Sequence, residues 1–225
     1  MNTLLNKLYN SYWQGYLDYV RDACTEPAAF PYLIDPEERY STATERIMIC
    51  GQETQGWGNE FDGQRDLVTV EQVCGIYRGF VWTDGYNSPY WSFVKQIKKS
   101  FPKKGFVINN IVKVGRRNKA GCNDLINDRA LTYFPVNRTE YNILAPDIII
   151  FLTGPNYDWR IEKVLGPFFK KRVSESLSCL DTLTFEDSSL PRAIRCYHPG
   201  FLRRKGLTSC YLNEIIKFCN SSHLR

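Results

Sequence analysis

The sequence predicts an α/β domain of three layers, with a central, mostly parallel four-stranded sheet covered by helices on both faces. Three observations carry that expectation. Four strand-like segments, "RIMIC", "GFVINNIV", "APDIIIFLTG" and "AIRCYHPG", are spread along the chain. Stretches of helical periodicity separate them, the alternation that builds layered α/β domains. Within the third segment "IIIFL" is unbroken and apolar, the pattern of a parallel strand covered on both faces rather than of a half-wetted one.

Each element follows in order. Leu4, Leu8, Tyr12, Tyr16 and Tyr19 recur at helical spacing, so an amphipathic helix is expected over about 3–23. A loop rich in Pro and Asp runs to about residue 44, and strand one, "RIMIC", follows. Residues 54 to 66 hold Gly, Asn, Asp and Gln around Trp57 and Phe61 and predict a long loop. Leu67, Val70, Val73 and Tyr77 mark a second helix. In "NSPYWSFVKQIKKSF" Ser88 is the expected N-cap, Pro89 opens the first turn, and Phe93, Val94 and Ile97 share one face. Strand two leads into a basic loop at 113–119, and strand four ends on a Pro-Gly turn. "LTSCYLNEIIKFC" predicts a closing helix over about 207–220. Without a repeat or a linker, residues 1–225 are expected to form one domain with its core at about 45–205.

Apolar residues at 43% and charged residues at 24% exclude a disordered chain. The eight cysteines include no C-x-x-C pair, the start lacks the pattern of a signal peptide, and no apolar run approaches the ~18 residues that span a bilayer. A cytoplasmic, monomeric protein with reduced thiols and no metal, cofactor or membrane partner is expected. The net charge of +5 is concentrated in "KKGF", "KVGRRNK", "KKR" and "RRK". Each cluster alone is a solvated face. Beside the strand ends they suit a phosphate-bearing partner.

Ligands of an open parallel sheet bind beyond the carboxyl ends of its strands. Those ends present Gln52 and Glu53 after strand one and Asn109 and Asn110 at strand two. Thr153 and Gly154 follow strand three, and His198, Pro199 and Gly200 follow strand four. The set holds a carboxylate, amides that read a planar hydrogen-bonding edge, and one of only two histidines in the chain.

Taken together these segments resemble the uracil-DNA glycosylase superfamily over roughly residues 45 to 205, in the right order. "GQETQGWG" resembles the family's first motif, read as G-Q-D-P-Y-H in one branch and G-M-N-P-G or G-I-N-P-G in others. "NSPYWSFV" is similar to the N-x-F-W segment of the mismatch-specific branch, and "NNIVKVGRRN" to T-N-V-V-K-C-R-P-P-x-N-R of the thermostable iron–sulfur branch. "NILAPDIIIFLTG" resembles the shared L-x-P-D-V-I-V-x-L-G strand, and "YHPGFLRR" resembles H-P-S-P-L-S.

The resemblance implies a monofunctional glycosylase that flips a nucleotide out of single- or double-stranded DNA and hydrolyses its N-glycosidic bond, as in base excision repair. Glu53 and His198 become the catalytic pair. Asn110 becomes the base-reading asparagine, joined by Gln52 and Gln55, with Trp57 and Trp82 competing to stack on the base. Lys113, Arg116, Arg117, Arg203 and Arg204 are the expected phosphate contacts. Gly200 offers its N–H to a phosphate, and Leu202 falls near the wedging leucine. The chain departs from the family where Thr54 replaces a proline, Gln55 a tyrosine that blocks 5-substituted bases, and Gly200 a serine. A non-catalytic DNA-binding protein using the same nucleotide site is the alternative.

Overall fold

The computed structural model describes residues 1–23, 27–54, 56–61, 63–83, 85–117, 119, 121 and 124–221. They divide into two compact units, each assembled from three stretches of chain. Unit 1 comprises Met1–Glu37, Gln52–Thr83 and Asn109–Ala145; unit 2 comprises Glu38–Gly51, Asp84–Ile108 and Pro146–Arg225.

Unit 1 is built on helix α1 (Asn2–Asp18), extended by a π-helical turn at Tyr19–Ala23, in agreement with the expected first helix. In unit 2, α2 (Glu38–Thr42) precedes strand β1 (Arg46–Gly51). Back in unit 1, α3 (Val70–Val81) begins with a capping box, the Thr69 side chain accepting from Gln72 N–H while the Gln72 side chain accepts from Thr69 N–H. Helix α4 (Pro89–Ser100) begins as expected, with Ser88 Oγ accepting from Trp91 N–H and Pro89 in the first turn. Strand β2 (Gly105–Asn110) crosses the boundary, its last two residues belonging to unit 1. Helices α5 (Asp124–Tyr133) and α6 (Asn137–Leu144) follow, and α1 packs against α3, α5 and α6.

The rest of unit 2 is β3 (Ile148–Phe151), α7 (Asp158–Leu165), β4 (Phe168–Arg172), β5 (Asp181–Phe185), β6 (Arg192–Arg195), α8 (Pro199–Arg204) and α9 (Thr208–Asn220). Six strands form one sheet in the order β2-β1-β3-β6-β5-β4. The centre is parallel: Ile47 to Cys50 pair with Ile148 to Phe151, which pair in turn with Arg192 to Arg195. Ile47, Ile49, Ile149, Ile150 and Ile194 are wholly buried there, so the unbroken apolar run reports a doubly covered strand.

The α/β class stands, but a four-stranded, mostly parallel sheet is not what forms. β4 and β5 add an antiparallel hairpin to β6 and make the sheet mixed. β4, "FFKKR", is an edge strand whose last four residues are exposed, so no apolar run announces it.

The end of β6 is anchored by charge. Arg195, 2% exposed, lies 3.0 Å from Asp158 and 2.9 Å from Asp181. It also donates to the Cys179 carbonyl at 3.0 Å. A buried guanidinium needs such partners, and here they fix the strand three residues before His198. Among the described residues no helix is long and apolar enough to cross a membrane, and no cluster of His, Cys, Asp or Glu is arranged to hold a metal. Cys50, Cys74, Cys179, Cys196, Cys210 and Cys219 form no disulfide among the described residues; Cys24 and Cys122 lie outside them.

Candidate functional site

Unit 2 carries the histidine. Because β1, β3 and β6 run parallel, their carboxyl ends share one edge of the sheet. The backbone is joined there by N–H bonds of 2.9 Å from Leu152 to Cys50 O, Cys196 to Phe151 O and Gly154 to Cys196 O. The chain leaving β6 turns into α8 at His198, the N-cap residue, with Pro199 next. His198 Nδ1 accepts from Gly200 N–H at 3.1 Å. A ring nitrogen that accepts carries no proton, so the neutral ring has its hydrogen on Nε2 and presents a donor there. Burial, and after it the charge of Arg204, holds the imidazole below the usual histidine pKa. His198 is therefore neutral at pH 7.

One face of the imidazole is covered. The Tyr90 ring, from the first turn of α4, lies 5.9 Å away at 16° from parallel. Among the described residues its buried hydroxyl has no hydrogen-bond partner, and burial pushes its pKa up, so it stays a neutral phenol. Tyr90 is a site residue that sequence reasoning missed. The available signal was its place directly after the Ser88-Pro89 helix start, which puts it in the first turn of α4.

Unit 1 carries the carboxylate and the asparagine. The loop after β1 runs beside the segment after β2: Val112 N–H donates to Gln52 O at 3.0 Å and Gly56 N–H to Arg116 O at 3.4 Å. A Cβ on Gly115 would stand 2.2 Å from the Thr54 carbonyl, so the two backbones meet only because that residue is glycine. Gln52 and Glu53 are half-buried at the start of this loop, and Gln52 O meets Val112, two residues past Asn110. Asn110 is 7% exposed, and its side-chain amide makes no hydrogen bond among the described residues. A nearly buried amide without an internal partner is uncommon and suits a group that reads a ligand. Gln55 lies outside the described residues.

Several expected roles are corrected. Lys113 does not face phosphate: it is 4% exposed and ion-paired with Glu140 at 2.6 Å. Trp57 is a core side chain, 7% exposed and packed against Tyr32 at 4.7 Å and Phe80 at 5.8 Å, so neither ring face is open to a base. Leu202 is wholly buried on the inner face of α8 and is no wedge. The helix that follows the Pro-Gly turn carries this apolar side chain into the core. Gly200 N–H is committed to His198 and is not presented to a phosphate. Trp82 is 40% exposed, with its Nε1 donating to Asp35 O at 2.9 Å, so it keeps an open ring surface. Arg203 and Arg204 are exposed in the last turn of α8, and Arg116 and Arg117 are half-buried.

Neither the family models nor the curated proteins compared with the chain give a match. In unit 2 a neutral N–H donor stands on a rigid turn, a group that can steady negative charge as a bond breaks. In unit 1 a carboxylate precedes a loop paired with the segment after β2, whose Asn110 amide makes no hydrogen bond among the described residues, a group that can read a hydrogen-bonding edge.

Proposed function

We propose that the chain is a DNA glycosylase. It hydrolyses the N-glycosidic bond of uracil, or of a 5-substituted or otherwise modified pyrimidine, flipped out of DNA, and leaves an abasic site. The observation that carries this is the His198 tautomer. As the C1′–N1 bond breaks, its electron pair passes to the base, and the anion gathers on pyrimidine O2. A neutral imidazole with its hydrogen on Nε2 donates to that oxygen in this proposal, and such a preorganised donor typically lowers the barrier by about 2.7–4 kcal/mol. An imidazolium would instead lose its Gly200 bond.

Glu53 is assigned to the sugar, where a carboxylate stabilises the oxocarbenium-like C1′ and takes a proton from the attacking water. Asn110 is assigned to the base edge, its amide matching O4 and N3–H of uracil. Lys113 Nζ is buried against Glu140 at 2.6 Å and is not assigned as a nucleophile, so the proposed reaction is simple hydrolysis. The three-layer α/β/α arrangement of a uracil-DNA glycosylase-like domain, a cytoplasmic setting and a monomer belong to the same proposal. With Gln55 where the strict uracil branch has tyrosine, 5-methyl and 5-hydroxymethyl groups are not rejected by an aromatic wall.

The test uses duplexes that carry uracil or 5-hydroxymethyluracil at one position. Alkali-labile sites should appear with the wild-type protein and be about 10²–10³ fewer per unit time with His198→Ala. A salt-sensitive gel shift without such sites would identify a DNA-binding protein instead.

A further inference from the structure

The corrected place of Lys113 has a use of its own. Its Nζ meets three oxygens inside unit 1: Glu140 Oε2 at 2.6 Å, Asn109 Oδ1 at 2.7 Å and Tyr32 O at 3.1 Å. Glu140 is wholly buried, and its Oε1 accepts from the Tyr9 hydroxyl at 2.7 Å. Burial pushes the Glu140 carboxyl up in pKa while Lys113 pulls it down. The same Asn109 Oδ1 that accepts from Lys113 Nζ also accepts from the backbone N–H of Asn110 at 2.7 Å. A single oxygen joins the buried cation to the backbone of the candidate base reader.

Packing alone gives no reason for this cluster, because apolar side chains of similar volume are often at least as stable as a buried ion pair. What charges supply is direction. Neighbouring strand residues point to opposite faces, so Asn109 turns into the cluster as Asn110 turns away from it. Asn109 is wholly buried, and the Asn110 side-chain amide makes no hydrogen bond among the described residues. We infer that Lys113 and Glu140 are positioning residues: through Asn109 they fix the backbone of Asn110 and so set how its amide meets the base. The inference rests on Asn110 reading the base edge. The pair touches neither base nor phosphate in this role.

The test compares wild-type protein with Lys113→Met/Glu140→Gln, which removes both charges and nearly keeps the volume. Hydrogen exchange at the Asn110 N–H should quicken at least about tenfold, while Ile49 N–H in β1 is unchanged. Discrimination between the preferred base and cytosine should fall about 10–100-fold, as for a misplaced reactive group, with the salt dependence of DNA affinity unmoved. Unchanged exchange at Asn110, or unchanged discrimination with only a lower melting temperature, would overturn the inference. If the double variant does not fold, Glu140→Gln alone is read by the same two measurements. If wild-type protein releases no base from any duplex, the glycosylase proposal fails, and the exchange result still decides whether the pair positions Asn110.

Discussion

Replacing Arg203 and Arg204 together by alanine separates the exposed basic surface from the buried one. Both side chains project from the last turn of α8 and make no ion pair among the described residues. Each phosphate neutralised on duplex DNA contributes about −0.9 to the slope of log affinity against log salt. Arg116, Arg117, Arg203 and Arg204 as four contacts give a slope of about −3.6, and losing two gives about −1.8. At 0.1 M salt that difference amounts to about 60-fold weaker binding, vanishing towards 1 M. Fluorescence anisotropy on a duplex with a non-hydrolysable nucleotide, titrated across salt, measures both quantities. Lys113→Met is the control, since a side chain 4% exposed and paired with Glu140 releases no counter-ion on binding. An unchanged slope in the double arginine variant, or an equal loss of slope in Lys113→Met, would refute the proposal that Arg203 and Arg204 contact phosphates.

Glu53→Gln and His198→Ala should each lower turnover by about 10²–10³ with DNA affinity nearly intact, as measured by single-turnover base release and anisotropy. Because the His198 pKa is depressed, activity should hold as pH falls through the usual histidine range and fail only below it, a limb that Arg204→Ala moves upward. The same sign applies to stability: below the ordinary histidine pKa the unfolded chain binds a proton that the native ring resists, so chemical-denaturation stability drops on acidification and His198→Ala removes that part. Leu202→Ala should destabilise by about 2.7–5 kcal/mol, since it empties a buried site. Each kcal/mol lowers the melting temperature by about 2–4 °C, with base release at lower temperature preserved. A stable variant with impaired release would return Leu202 to the DNA surface.

The parallel centre of the sheet was legible because its strands are apolar on both faces, and the starts of α4 and α9 were legible from Ser88-Pro89 and the closing apolar periodicity. β5 was legible in principle: Asp181, Leu183 and Phe185 are buried while Thr182 and Thr184 are more open, a period of two within "DTLTF". β4 was not, because an exposed edge strand of Phe, Lys and Arg has the composition of a surface loop. His198 and Asn110 stand out in the sequence because polar residues at strand ends have few structural reasons to be there. The basic motif misled at Lys113 because sequence shows a charge but not its burial. Its partner Glu140 sits on the face of α6 shared with Asn137, Tyr141 and Leu144, a helical spacing that marks an inward carboxylate in search of a cation. Trp57 and Leu202 are apolar residues that folding placed where apolar residues ordinarily go.

Release of a free base is the event that defines a DNA glycosylase. The decisive measurement is mass-spectrometric detection of bases freed from matched duplexes carrying uracil, 5-hydroxymethyluracil, 5-hydroxymethylcytosine or its glycosylated form. Wild-type protein should free at least one of these, 5-substituted bases included, in amounts equal to the abasic sites formed, and His198→Ala should free about 10²–10³ less in the same time. DNA bound by the wild-type protein with no base released from any duplex would contradict the proposed function.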